Sequence, residues 1–228
     1  ETGSGKSTLL RAIITNLILN KANIDLHLID LKKGVEMALF KECKSVKTFS
    51  RDSEEAEKNL LKIRKEVDRR YELFYENDCK DFDQYVKKHK LKRWLVVVDE
   101  FSLLARDKES IQMLEELSAI SRACGVHFIL CTQRPDAKII TGLIKQNIPL
   151  VIGLKCLNGT NSRIIIDENG LEKLRGRGHG ILKSGGTLTE FQSMFLNEDK
   201  ANELLKPFRV KKEVATPRQD PFDIFNDY

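Results

Sequence analysis

A mostly parallel α/β sheet flanked by helices is the fold class this sequence predicts, and three observations predict it. The chain opens Glu1-Thr2-Gly3-Ser4-Gly5-Lys6-Ser7-Thr8, the end of the phosphate-binding pattern G-x-x-x-x-G-K-[ST]. Helical and strand-like apolar periods then alternate along most of its length. The run Trp94-Leu95-Val96-Val97-Val98 is continuous and rich in β-branched residues, which suits burial on both faces of a parallel sheet. The opening stretch alone reads equally well as a flexible turn, so the residues after it must decide. If it is a phosphate loop, its glycines let the backbone wrap phosphate and its N–H groups donate to the α/β-phosphates. The Lys6 ammonium then reaches the β/γ-phosphates and the Ser7 hydroxyl ligates Mg²⁺. Residues Thr2, Gly3, Ser4, Gly5, Lys6, Ser7 and Thr8 are therefore the nucleotide-contact candidates. The pattern's first glycine would fall one residue before Glu1. The expectation is that the first strand, central in the sheet, lies upstream of residue 1.

Composition sets the bounds. At 228 residues, with 32% charged and 41% hydrophobic residues, the chain is globular rather than disordered. Its length suits one sizeable α/β domain, or a domain with a small appendage. A net charge of +5 permits a polyanionic partner without requiring one. The five cysteines (Cys43, Cys79, Cys124, Cys131, Cys156) are scattered, with no C-x-x-C pair, so neither a disulfide framework nor a zinc site is indicated. Cys124 and Cys131 sit in or beside apolar runs and read as small core residues, which points to a reducing compartment. No apolar run approaches the roughly 18–20 residues that span a bilayer.

The elements follow in order. Ser7 to Leu19 carries Leu9, Leu10, Ile13, Ile14, Leu17 and Ile18 at helical spacing, and Ile24 to Asp30 reads as a strand ending in an acid. Val46 to Phe49 is a short strand. Asp52-x-x-Glu55 caps a long helix to about Tyr75, whose apolar stripe of Leu60, Ile63, Val67, Tyr71 and Phe74 lies on the sheet. Lys87-Lys88-His89-Lys90 reads as a solvated turn. Trp94-Leu95-Val96-Val97-Val98-Asp99-Glu100 is a buried strand ending in two carboxylates, which are costly beside a core unless they meet a cation or water. Following a phosphate loop, it reads as the Walker B element. Asp99 supports Mg²⁺ and Glu100 orients and deprotonates the attacking water. The two motifs in this order predict a P-loop ATPase.

Glu109 to Ala123 is helical. Val126 to Thr132 is a strand that delivers Gln133 and Arg134 to the edge where parallel sheets bind ligands. Gln133 can sense a γ-phosphate or simply turn the chain. Ile139 to Gln146 reads as a short helix, Leu150 to Leu154 as a fourth strand, and Ser162 to Ile166 as helical. The loop from Gly170 to Gly180 interleaves Arg175 and Arg177 with glycines, which suits close approach to phosphate or a surface turn. Ile181 to Lys183 and Thr189 to Leu196 form a hairpin. The expected organisation is a motor domain over 1–206 and an acidic–aromatic tail over 207–228, disordered or a docking peptide.

At Cys131-Thr132-Gln133-Arg134-Pro135, Ile140-Thr141-Gly142-Leu143-Ile144-Lys145-Gln146-Asn147-Ile148-Pro149, Asn161-Ser162-Arg163-Ile164-Ile165-Ile166-Asp167 and Gly170-Leu171-Glu172-Lys173-Leu174-Arg175-Gly176-Arg177-Gly178, the chain resembles the FtsK/SpoIIIE family of DNA-pumping ATPases. The resemblance extends to about residue 196. It implies a RecA-like domain in a ring, a hexamer, with MgATP between subunits. It also implies that Arg122 is an arginine finger for the neighbouring subunit, although a helix-end cation favoured by the macrodipole is a compatible reading. Arg134, Lys145 and Arg163 match positions that grip DNA. Sequence-independent phosphate contacts of that kind suit a motor on arbitrary duplex DNA.

Two positions depart from the chromosome pumps. Leu31 stands where Pro is usual and His179 where Asp is usual, while "IDLKKGVE" and the short ending are similar to conjugative coupling proteins of Gram-positive mobile elements. The resemblance thus implies DNA translocation in conjugative transfer at the cytoplasmic face of the cell membrane. Any membrane anchor and transfer-machinery partners would lie outside this segment. A protein-export motor or a nucleotide-dependent docking module are the alternatives. The cations at Arg134, Lys145 and Arg163 argue against the first, and the Asp99-Glu100 pair argues against the second.

Overall fold

The computed structural model describes residues 3–210. Its elements run α1 (Lys6–Leu19), β1 (Ile24–Asp30), β2 (Val46–Ser50), α2 (Ser53–Glu76), α3 (Phe82–Tyr85), β3 (Arg93–Asp99), α4 (Lys108–Ile120) and β4 (Val126–Leu130). They continue with α5 (Gly142–Asn147), β5 (Val151–Leu154), α6 (Gly159–Ile166), β6 (His179–Ser184), β7 (Thr187–Gln192) and α7 (Glu198–Leu205). Strands β2-β1-β3-β4 form a four-stranded sheet in that order, and every pairing is parallel.

Side-chain alternation sorts this sheet into two faces. Leu26, Leu28 and Val97 pack with Leu10, Ile14 and Ile18 of α1 and Leu205 of α7. Ile29, Val96 and Val98 pack with Leu60, Ile63 and Val67 of α2 and with Leu114 and Leu117 of α4. A strand covered by helices on both faces must be apolar on both, which is why β3 reads as an unbroken Val run. Asp52 caps α2 as expected, accepting from the Glu55 N–H at 3.0 Å. The Glu55 carboxylate in turn accepts from the Arg51 N–H at 2.7 Å.

One strand departs from the expectation. The strand expected over residues 150–154 forms, but it does not join the parallel sheet that the fold class predicts. Instead β5 pairs antiparallel with β6, and β6 with β7, in a separate three-stranded sheet. The reason is packing. Leu171 and Ile166 press onto Gly153 so closely that a Cβ there would meet Leu171 Cδ1 at 2.6 Å. With Cys156 and Leu174 they make a small core of their own. Strand β4 is consequently half-buried over Phe128, Ile129 and Leu130. These three residues and parts of α1, α5 and β5 line an apolar cleft of about 810 Å³.

Other differences are local. The β6–β7 hairpin turns at Gly185-Gly186, and β7 stops at Gln192 rather than Leu196. After α7 the chain stays in contact with the domain through Val210, whose N–H donates to the Glu42 carbonyl at 2.8 Å. Of the expected tail, residues 211–228 lie outside the described residues. Among the described residues no helix is long and apolar enough to cross a membrane.

Candidate nucleotide site

The site forms where β1, β3 and β4 end. Asp30 and Asp99 stand opposite one another at the ends of β1 and β3, and both are fully buried. Asp30 serves the backbone, accepting from the N–H groups of Lys32 (3.1 Å) and Met37 (2.9 Å). Asp99 faces the start of α1, where the Lys6 ammonium donates to its Oδ1. Burial alone would lower the Lys6 pKa, but the charge and hydrogen bond of Asp99 outweigh it and hold the ammonium above its ordinary value.

The phosphate loop turns through Gly5 in the left-handed region (φ +104) and enters α1 with no side-chain cap and no acid in the first turn. An uncapped helix start with free N–H groups is suited to an anion. The loop is backed by an unforeseen partner, because the Arg177 and Gly178 N–H groups donate to the carbonyls of Gly3 (3.3 Å) and Ser4 (2.8 Å). The approach is so close that a Cβ on Gly5 would meet the Gly178 nitrogen at 2.4 Å. The glycine–arginine loop, read from sequence as phosphate-facing or a surface turn, thus packs on the nucleotide loop, with Arg175 and Arg177 exposed.

Glu100 occupies the left-handed region (φ +56), a strained conformation for a residue other than Gly, Asn or Asp. Its Oε1 accepts from the hydroxyls of Ser102 and Thr132, both at 2.7 Å, and from the Gln133 N–H at 3.0 Å. Its Oε2 lies 3.2 Å from the Lys32 ammonium. Burial would raise its pKa, but the donors from Thr132, Gln133, Ser102 and Lys32 outweigh burial and lower it to about 2. Glu100 is therefore a fixed anion at neutral pH. Lys32, Ser102 and Thr132 were not singled out from sequence. The pattern does carry a trace of Lys32, since it follows a strand-ending acid on the neighbour of the Walker B strand.

The structure thus brings Lys6, Asp99, Glu100 and Gln133 together, with Gly3, Ser4, Gly5, Ser7 and Thr8 at the head of α1; Thr2 lies outside the described residues. Arg122 lies elsewhere, exposed beyond the C-terminal end of α4 and ahead of β4. Arg122 and Gln133 lie off opposite ends of β4, whose five residues span roughly 17 Å at the usual rise per strand residue. Arg134 is exposed beside Gln133 and, with Lys145, borders the same cleft as Lys6. Lys145 pairs with Asp167 at 2.6 Å, and Asp167 also pairs with Lys183. Arg163 is outside the cleft lining and donates to Asn169 Oδ1 at 2.9 Å. The three cations therefore do not converge on one point.

The residues present fit MgATP. Asp99 Oδ2 is buried without a hydrogen-bond partner, and its ion-pair contact, the Lys32 ammonium, stands off at 3.9 Å, an arrangement that a closer cation would complete. Ser7 stands one residue after Lys6 at the uncapped helix start. An uncapped helix start suited to an anion, a lysine bridging to a strand-end aspartate and a neighbouring glutamate make this a P-loop ATPase fold.

A family model described as FtsK/SpoIIIE family matches residues 1–101. The DNA translocase FtsK of Lactiplantibacillus plantarum is 37% identical over 203 residues, 82% of this chain and 25% of that protein. The DNA translocase FtsK of Treponema pallidum is 35% identical over an alignment of 241 residues, 99% of this chain and 30% of that protein. Among solved structures, the pCW3 conjugation coupling protein TcpA, in its monomer form with ATPγS, superposes with a TM-score of 0.79 at 31% identity. That match covers 91% of this chain and 62% of TcpA. The Type VII secretion ATPase EccC of Thermomonospora curvata gives a TM-score of 0.79 at 21% identity over 91% of this chain and 27% of its own, a likeness of fold. The chain belongs to the FtsK/SpoIIIE family. It spans about a quarter to a third of the length of the curated relatives it matches.

Proposed function

We propose that this chain is the ATP-hydrolysing core of a DNA translocase that works in conjugative transfer, as one subunit of a hexameric ring at the cytoplasmic face of the cell membrane. The observation that carries the reading is the meeting of Lys6, Asp99 and Glu100 at the uncapped start of α1. In this reading the first-turn amides and Lys6 bind the ATP phosphates, and Lys6 exchanges its ion pair with Asp99 for phosphate oxygens. Ser7 and Asp99 would hold Mg²⁺, which supplies charge neutralisation on the phosphates. Glu100 orients the attacking water and takes its proton, and the Gln133 side chain reports the γ-phosphate.

Arg122 supports the ring. It lies at the opposite end of β4 from its own site, so as an arginine finger it serves a neighbouring subunit. A finger of this kind can be worth about 10³–10⁵ in rate. Arg134, Lys145 and Arg163 contact the DNA backbone. The Lys145–Asp167 pair is partly exposed, so phosphate can displace the carboxylate at little cost. Similarity to TcpA supports the conjugative assignment.

The test is ATP turnover of the full-length protein with and without duplex and single-stranded DNA across a salt series. Stimulation by DNA that fades as salt rises is the expected result. Turnover indifferent to DNA but raised by a polypeptide would replace this reading with an export motor. Near-zero turnover would replace it with a docking module.

A further inference from the structure

We propose that Thr132 is a positioning residue that couples contact of a polyanionic strand with the Arg134 turn to release of the Glu100 carboxylate. This rests on the reading that Glu100 activates water and Arg134 meets DNA phosphate. A carboxylate offers about four acceptor sites. Those of Glu100 are taken by Ser102, Thr132, the Gln133 N–H and Lys32. Three of the donors crowd Oε1, and Oε2 meets Lys32 and the long branch of the Gln133 N–H at 3.3 Å, so a water proton reaches the carboxylate where one of these donors gives way.

Which donor leaves follows from where each is anchored. Ser102 follows Glu100 in its own chain segment, and Lys32 extends from the turn after β1. Thr132 alone links the carboxylate to the Arg134 backbone through a side chain. Its hydroxyl hydrogen goes to Glu100 Oε1 at 2.7 Å, while its oxygen accepts from the Arg134 N–H at 3.1 Å. The neighbouring Gln133 N–H, at 3.0 and 3.3 Å from the two carboxylate oxygens, moves with the same turn.

Pro135 follows, and a residue before proline is confined to extended backbone. A pull on the exposed Arg134 side chain is therefore passed along the chain rather than absorbed at Arg134. The left-handed backbone of Glu100 (φ +56) stores strain that favours movement once the restraint loosens. The consequence is low hydrolysis without a strand in place and faster hydrolysis with one.

The test compares Thr132→Val, which keeps shape and loses the hydroxyl, with Thr132→Ser in the full-length protein. The kcat and KM for ATP are measured with and without saturating duplex DNA. T132V is expected to raise DNA-free kcat roughly tenfold, as for loss of one hydrogen bond to a charged group. KM and the DNA-stimulated kcat stay within about twofold, so the stimulation ratio falls by the same factor. T132S restores the ratio. Thr132→Ala carries the same expectation should valine disturb the turn, and thermal midpoint with ATP-analogue binding confirms that each variant is folded.

A hydroxyl that only stabilises the turn would lower the thermal midpoint and leave the ratio alone, and that result overturns the proposal. A fall in DNA-free kcat also overturns it, because the hydroxyl would then promote the reaction. A wild type that does not hydrolyse ATP, or does so without response to DNA, removes the functional reading itself, and that failure appears before any variant is compared.

Discussion

Replacing Arg70 with methionine removes a guanidinium that is completely buried beneath the end of the sheet opposite the nucleotide site. Its Nε donates to the Glu66 carboxylate at 2.8 Å, its Nη1 to the carbonyls of Cys124 (2.9 Å) and Gly125 (3.3 Å), and its Nη2 to the Lys92 carbonyl at 2.8 Å. It also lies over the Trp94 ring at 5.2 Å. Methionine fills much of the space but satisfies none of these acceptors. It leaves Glu66, whose side chain is only 13% exposed, with Arg69 as its remaining guanidinium donor. Breaking a buried charge pair from one side costs about 3–5 kcal/mol. In a protein of this size that is a fall in thermal midpoint of roughly 10 °C.

The same arginine fixes the carbonyls just after Arg122, so R70M should also slow ATP turnover if Arg122 completes a neighbouring site. Thermal unfolding and turnover of the full-length protein read both effects. The double variant R70M/E66Q should be less destabilised than the sum of its single changes, since each removes the same pair. A midpoint shift below about 3 °C for R70M, or strict additivity, would refute the description of Arg70 as a charge held by its partners.

Two further predictions follow from the structure. Burial lowers the His27 pKa to about 4, with a smaller raising effect from Asp25 and a smaller lowering one from Arg70. The unfolded chain takes up a proton near pH 6.5 and the folded chain only near 4, so this stability is complete above about pH 6.5 and is lost as pH falls toward 4. The ceiling is about 3 kcal/mol. Urea midpoints from pH 7 to 4.5 should fall, and His27→Gln should flatten the slope; an unchanged slope would refute the assignment. Gly178→Ala places a Cβ at 2.0 Å from Ser193 Oγ on left-handed backbone (φ +86) and disturbs the 2.8 Å bond to the Ser4 carbonyl. ATP-analogue affinity should drop about tenfold, about 1.4 kcal/mol, and equal affinity would show that the loop does not shape the phosphate site.

What the sequence made legible was local. Asp52 before a charged amphipathic run marks a helix start, and the Val run closing on Asp99-Glu100 marks a buried strand at a site. These signals depend on neighbours a few residues apart. The remainder depends on residues far apart in the chain, which no period encodes. Thr132 and Lys32 reach Glu100 from the turns after different strands, and Gly178 meets Gly5 from a distant part of the chain. The pairing of residues 151–154 was equally hidden. A short apolar strand reads the same in either sheet, and the choice was made by Leu171 and Ile166 packing on Gly153. The same limit separated Arg163 from the cleft that Arg134 and Lys145 border, because sequence order carries no direction for an exposed side chain.

The most direct test of the central claim is ATP turnover and ATP binding measured side by side in the full-length wild type and Glu100→Gln. Glutamine keeps the size and the oxygen that accepts from Thr132, but it cannot take a proton from water. If Glu100 is the group that activates water, binding stays within about twofold while turnover falls by about 10²–10⁴-fold. Turnover at the wild-type rate in Glu100→Gln would contradict the account.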